Sequence, residues 1–275
     1  MHNAAFASLG LDWRYVAFEV DPKNLRAAIA GAQAMNFAGL NLTVPHKLLA
    51  VDMVDALDAS AKKWGAVNTI KFESSAGVSP ANSSGHAGGT PALHSIGFNT
   101  DADAIVTALR EDLKLEPRGA RVLLLGAGGA GRTAALKLAS ENVAELFLVN
   151  RTVSKAEDVA AEIKRQSPDV KVSVGYPKAG VDLILNATSL GLKADDASPL
   201  DEKQFPLNQT RAVYDMIYRP AETKLLAAAR AAGCRTANGL GMLLHQGAKA
   251  FEIWTGRPAP LDVMRRALEQ NIYGH

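Results

Sequence analysis

The sequence predicts an α/β protein of two domains, one of them built on a doubly wound parallel sheet. Three observations carry this. From Arg121 onward, short apolar runs alternate regularly with helical patterns, which is the order of a parallel sheet with crossover helices. The chain has 275 residues, more than one domain usually holds. Hydrophobic residues make up 48% of it, ample for two cores. The formal net charge of +2 is spread along the chain and forms no basic stripe, so a nucleic-acid partner is not expected. No run of about 18 apolar residues and no signal-peptide pattern occurs, so no membrane association is expected either. The single cysteine, Cys234, has no partner for an internal disulfide and fits a reducing, cytoplasmic setting as a packed small residue. The expected partner is a small molecule.

Taken in order, residues 1–10 are alanine-rich and weakly helical, and residues 13–20, WRYVAFEV, read as a strand from their β-branched and aromatic content. In a parallel arrangement a strand would normally precede the first helix, so the alternation starts one element late. Asp21-Pro22 is a helix start, with Leu25, Ala28, Ile29 and Ala32 on one face. Residues 40–44, LNLTV, form a second strand candidate ending against Pro45. The next helix would open at Pro45 and carry Leu48, Leu49, Val51 and Leu57 inward. Lys47 then falls in a first helical turn, where the helix dipole disfavours a cation. It is either a solvated surface lysine or one with an anion nearby. His46 reads as a capping or surface residue.

Residues 65–72 predict a third strand, broken by Asn68-Thr69. Residues 74–91 are rich in Ser, Gly, Ala and Pro and read as a flexible surface insertion. His86 and His94 lie too far apart to support a metal site, and none is expected. Asp101 stands where it can cap a helix bearing Ile105, Val106, Leu109 and Leu113.

The parallel part begins with RVLLLGAGGAGRTAALKL from Arg121. Val122, Leu123, Leu124 and Leu125 make a buried strand; Gly126, Gly128 and Gly131 follow at G-x-G-x-x-G spacing; a helix opens at once. That order suits a dinucleotide: a tight turn, a close approach of backbone to pyrophosphate, and a helix N-terminus facing the phosphates. Further strands are predicted over 146–150, 170–174, 181–186 and 212–217, with helices from Ser154 and over 222–232, a short strand at 234–237, and helices over 239–256 and 261–270. At the end of the strand over 146–150, the second of the parallel part, an NAD-binding fold usually places an acid. This chain has Asn150-Arg151-Thr152, with Lys155 beyond; a guanidinium can bond a 2′-phosphate, so NADP is favoured. The loop Asn186-Ala187-Thr188-Ser189 either borders the ribose and nicotinamide or is an ordinary turn.

Eight segments, met in order, resemble shikimate dehydrogenases: N-L-T-V-P-H-K at 41–47, G-A-V-N-T at 65–69, N-T-D at 99–101, G-A-G-G-A-G-R at 126–132, N-R-T at 150–152, N-A-T-S at 186–189, Y-D-M-I-Y at 214–218 and G-L-G-M-L-L-H-Q at 239–246. The resemblance runs from His2 to the C-terminus. It implies a Rossmann-like NADP-binding domain over 102–238 and a discontinuous α/β substrate domain over 1–101 and 239–275. It implies a catalytic pair, Lys47 and Asp101, with Thr43, Asn68, Asp101, Tyr218 and Gln246 on the substrate. It places NADP against Gly126, Ala127, Gly128, Gly129, Ala130, Asn150, Arg151, Thr152, Lys155, Thr188, Ser189, Met216 and Gly239. The implied activity interconverts 3-dehydroshikimate and shikimate in aromatic amino-acid biosynthesis, by a monomer or homodimer. Broader use of quinate, or an impaired NADP-binding paralogue, are the alternatives. The family usually opens with a strand and two serines that hold the substrate carboxylate, ahead of S-P-x-x-H-N. Met1-His2-Asn3 falls inside that motif, so weaker substrate binding is the expectation.

Overall fold

The computed structural model describes residues 1–74 and 93–274. The expected insertion at 74–91, with His86, lies outside the described residues except for Ser74. The chain divides into two compact units: Met1, Asp101–Gln246 and Leu261–His275 in one, His2–Thr100 and Gly247–Pro260 in the other. The α/β class and the parallel sheet expected from the sequence are both present.

The first unit holds six parallel strands: β5 (Arg121–Leu125), β6 (Glu145–Val149), β7 (Lys171–Val174), β8 (Val181–Asn186), β9 (Thr210–Asp215) and β10 (Arg235–Asn238). Their spatial order is β10-β9-β8-β5-β6-β7. The chain therefore steps outward from β5 to β7, returns beside β5 as β8, and steps outward the other way. That reversal between β5 and β8 is the topological switch point at which open α/β sheets bind ligands. The crossovers are α6 (Gly129–Ser140), α7 (Val153–Gln166) and α8 (Lys224–Ala231), with α5 (Asp101–Leu113) leading in. Strands covered on both faces need continuous apolar runs. Leu123, Leu125, Ile184 and Val213 accordingly pack with Phe205, Leu225 and Leu226 in one core. Helix α10 (Leu261–Tyr273) belongs to this unit, and α9 (Leu240–Thr255) gives it residues 240–246.

Among the described residues, the second unit has a four-stranded mixed sheet of β1 (Gly39–Asn41), β2 (Ala56–Leu57), β3 (Thr69–Ser74) and β4 (Leu93–Phe98), in the order β1-β3-β4-β2. Only β2 and β4 are parallel. Helix α2 (Leu25–Ala34) buries Leu25 and Ile29 against Ile70, Phe72 and Val67, as its apolar periodicity requires. Trp254 of α9 donates its Nε1–H to the Ile70 carbonyl at 2.9 Å. Gly39 lets β1 pass beneath that ring, since any Cβ there would collide with the Trp254 indole and the Ile70 carbonyl. Helix α1 (His2–Ser8) stacks His2 on Tyr15 at 4.5 Å and Phe6 on Phe251 at 5.4 Å.

Three local expectations are corrected. Residues 13–20 form no strand. Both backbone groups of Tyr15 are engaged by the Asn3 side-chain amide, and Val16 and Phe18 are 58% and 67% exposed. β propensity without a neighbouring ladder gives an extended segment, not a strand. The strand expected over 40–44 stops at Asn41, because after Leu42 bonds Asn68 the chain turns, with the His46 N–H on the Thr43 carbonyl at 2.8 Å. The helix expected from Pro45 is a single turn, α3 (His46–Leu49), followed by a 3-10 turn over Ala50–Asp52. Leu48 and Leu49 are exposed and Ala50 is buried in their stead, while Leu57 lies in β2. A one-turn helix has little macrodipole, which removes the electrostatic reason for finding Lys47 unusual. A further short helix, α4 (Ala59–Trp64), has no periodicity to announce it; the Asp58 side chain caps its Ser60 N–H and Gly65 ends it in the left-handed conformation.

Candidate active site

In the parallel-sheet unit one row of residues organises everything. The register places Val149, Leu125, Asn186, Asp215 and Asn238 side by side across β6, β5, β8, β9 and β10. All five strands therefore end at one level. The loops that leave them carry the cofactor-binding candidates: 126–130, 150–155, 187–189, Met216 and Gly239. Positions scattered over more than 110 residues of sequence become neighbours spaced by the strand separation of about 4.8 Å.

The glycine loop has the expected construction. Gly126 adopts φ +103°, which a side chain would resist, and an added Cβ would press on the Ala187 backbone at 3.0 Å. A Cβ on Gly131 would collide with the Gly126 carbonyl, so helix and turn can pack only with glycine there. Gly128 differs: its φ of −76° suits any residue and a Cβ would meet nothing. Its outer face is open, as a backbone that approaches a pyrophosphate requires. Asn150 ties this loop to the next, accepting from the Ala127 N–H at 3.0 Å and donating to the Thr152 carbonyl at 2.8 Å. Arg151, Thr152 and Lys155 are exposed beside it, at the start of α7. These groups fit a phosphorylated dinucleotide: donors and open space at the loop, two cations at the end of β6, and no acid between Asn150 and Lys155.

Thr188 is held by an Asx turn. Its N–H and hydroxyl both reach Asn186 Oδ1, at 3.0 and 2.8 Å, and its Oγ1 accepts from the Leu190 N–H at 3.1 Å. The Met216 N–H bonds the Asn186 carbonyl at 2.9 Å, and the Gly239 N–H bonds the Ile217 carbonyl at 3.1 Å. Tyr218 is exposed, and Gln246 is half-buried on α9. Asp101 is buried at the first residue of α5.

In the other unit, Thr43, Lys47 and Asn68 are drawn together by backbone bonds. The Lys47 carbonyl accepts from Val67 N–H at 2.8 Å, and the Asn68 carbonyl accepts from Leu42 N–H at 2.8 Å. Lys47 is half-buried and Thr43 exposed. Asn68 is buried and clasps Thr100: its Nδ2 donates to Thr100 Oγ1 at 2.9 Å and its Oδ1 accepts the Thr100 N–H at 2.8 Å. Asn99 similarly bonds the Ala66 carbonyl. The asparagines of G-A-V-N-T and N-T-D thus fix each other's loops, and Thr100, which carries no signal of its own in the sequence, is the receiving partner. Among the described residues no group of three His, Cys, Asp or Glu is placed to hold a metal ion, and no helix is long and apolar enough to cross a membrane.

Three family models match along the chain: a shikimate dehydrogenase substrate-binding domain over residues 1–70, a shikimate/quinate 5-dehydrogenase over 109–189, and a shikimate 5′-dehydrogenase C-terminal domain over 239–269. A shikimate dehydrogenase (NADP+) of Methanopyrus kandleri is 38% identical over 99% of this chain and 90% of its own length. Among solved structures, a shikimate dehydrogenase in complex with NADP+ is 38% identical, with a TM-score of 0.84 over 98% of this chain and 89% of its own. The shikimate 5-dehydrogenase of Thermus thermophilus, in complex with NADP(H) and shikimate, is 33% identical, with a TM-score of 0.79 over 98% and 92%. Fold and site define a two-unit α/β dehydrogenase. The chain belongs to the shikimate dehydrogenase family.

Proposed function

We propose that this chain is an oxidoreductase that interconverts 3-dehydroshikimate and shikimate with NADP(H), on the pathway to aromatic amino acids. The row of strand ends that gathers the glycine loop, Asn150-Arg151-Thr152 and the 187–189 loop is the observation that carries this reading. NADP, when bound, supplies or accepts the hydride. The Gly126 to Ala130 backbone would hold its pyrophosphate, Arg151, Thr152 and Lys155 its 2′-phosphate, and Thr188, Ser189, Met216 and Gly239 its nicotinamide end.

Lys47 and Asp101 are proposed as the catalytic pair. The Lys47 ammonium bonds the oxygen at the reacting carbon, where negative charge grows as the carbonyl is reduced. A fixed cation there stabilises the transition state more than the ground state. Asp101 orients the lysine and bonds a neighbouring hydroxyl. Thr43, Asn68, Tyr218 and Gln246 bond the remaining ring hydroxyls or the carboxylate. Because Asn68 already clasps Thr100, its part is to hold the loop ahead of Asp101 as much as to meet substrate. A cytoplasmic setting is part of this reading, and the one cysteine of the sequence, Cys234, is a buried free thiol compatible with it.

The test is the initial rate of NADP reduction by the whole chain with shikimate, with quinate and NAD as comparison substrates. Turnover with shikimate and NADP, at a kcat/KM well above that with quinate, is the expected result. Failure to reduce NADP with either acid would refute the assignment.

A further inference from the structure

The ends of β8 and β9 carry a buried polar cluster to which the proposed mechanism gives no part. Asn186 and Asp215 are paired residues on adjacent parallel strands, both with 0% exposure. Asp215 receives three hydrogen bonds: from Asn186 Nδ2 at 2.9 Å and the Ile217 N–H at 3.0 Å on Oδ1, and from Thr223 Oγ1 at 2.7 Å on Oδ2. All three of these partners are donors, and a carboxylate is acceptor-only. Its presence therefore dictates which way the Asn186 amide points. With Nδ2 committed to Asp215, Oδ1 must face the other way, and there it takes the N–H and hydroxyl of Thr188. Thr223, spent as a donor to Asp215, accepts from Leu226 N–H at 3.3 Å and so caps α8. One buried carboxylate thus sets the polarity of bonds on both sides of it.

We propose that Asp215, acting through Asn186 and Thr223, is a positioning residue for hydride transfer: it fixes the loops 187–191 and 216–218, which border the nicotinamide end of the cofactor. This rests on the NADP reading above. Residues 187–191 and 216–218 carry no helix or strand, and besides this cluster they are held by Asp196 on the Gly191 N–H and by the Gly239 N–H on the Ile217 carbonyl. They meet through the same cluster, because the Met216 N–H is bonded to the Asn186 carbonyl. Burial raises the Asp215 carboxyl against the three donated bonds that lower it, so the cluster is held at a cost that an apolar pair would not incur. Such a cost is expected where geometry is what is being retained.

Asp215→Leu keeps a comparable side-chain size but removes both acceptors, so Asn186 Nδ2 and the Ile217 N–H lose their partner and Asn186 is no longer forced into one orientation. Three readouts test it. Amide hydrogen exchange on the cofactor-free chain is expected to rise at least about tenfold at Thr188, Leu190 and Ile217, and to stay unchanged over 151–155. Affinity for NADP is expected to fall, while affinity for 2′-phospho-ADP-ribose, which lacks the nicotinamide, stays within about twofold. The kcat for shikimate oxidation is expected to drop by about 10- to 100-fold, the scale of an ångström-sized misplacement. Wild-type exchange at those three amides, or equal loss of affinity for both nucleotides, would overturn the proposal. Should Asp215→Leu not fold, Thr223→Val removes the hydroxyl donor and Thr223→Ser restores it. The serine variant is expected to recover most of the rate that valine loses, and equal rates in the two would count against the cluster. A wild-type chain that does not reduce NADP with shikimate refutes the functional reading itself, a result distinct from these.

Discussion

Two glycines three residues apart separate the demands of folding from those of cofactor binding. At Gly131 an added methyl would collide with the Gly126 carbonyl, a backbone atom that cannot swing away. Relief requires α6 or the turn at Gly126 to move, and overpacking of this kind costs about 1–3 kcal/mol. For a chain of this size that is about 2–12 °C in Tm, at roughly 2–4 °C per kcal/mol. At Gly128 the same methyl meets nothing, and the backbone angles are ordinary. The entropy gained by replacing glycine, about 0.4–1 kcal/mol, is offset by alanine's poorer fit at the N-cap of α6. Stability should therefore change by less than about 1 kcal/mol. If the Gly128 backbone lies against a pyrophosphate, however, the methyl occupies that space. Gly128→Ala should then weaken NADP binding by about tenfold or more, equivalent to about 1.4 kcal/mol. Thermal unfolding of the two variants, followed by titration with NADP, checks both. A Gly128→Ala chain with wild-type affinity, or a Gly131→Ala chain with wild-type Tm, would refute the reasoning.

Other consequences concern charge. Arg151→Ala should remove a charge-assisted hydrogen bond of about 1.5–3 kcal/mol, weakening NADP by roughly 10- to 150-fold. Binding of NAD should be unchanged and the salt dependence of NADP affinity should flatten, both measurable by titration at two ionic strengths. His2 is buried among aromatic rings, and burial, reinforced by the N-terminal ammonium, pushes its imidazole from 6.5 down to about 4. Above pH 6.5 neither folded nor unfolded chain protonates it. As pH falls from 6.5 toward 4 the unfolded chain takes up the proton and the folded one does not, so stability falls by up to about 3 kcal/mol. Urea midpoints at pH 7 and 4.5 should therefore differ more in the wild type than in His2→Phe; equal differences would show that His2 is not the group responsible.

The parallel unit was legible because its signals are local. Residues 122–125 and 183–185 are continuous apolar runs, each followed by a turn, and burial on both sheet faces demands nothing less. The segment 13–20 misled for the opposite reason. Its residue types suit a strand, but a strand exists only with a partner, and the partner's presence is not written in the segment. The two-residue β2 and the four-residue α3 are too short to repeat a hydrophobic period and had no signal to offer. Site residues divide in the same way. The glycine loop and Arg151 declare themselves by spacing and charge. Thr100 as the partner of Asn68, and Asp215 as the acceptor for Asn186, are separated from those partners by 32 and 29 residues. Only the sheet registers bring them together.

The measurement that bears most directly on the proposed chemistry is the steady-state kinetics of Lys47→Ala with shikimate and NADP, beside the wild type. A cation that acts chiefly in the transition state should cost kcat, by about 10²-fold or more, with a smaller change in the Michaelis constant. An unchanged kcat with only a raised Michaelis constant would place Lys47 in binding alone and contradict its catalytic role.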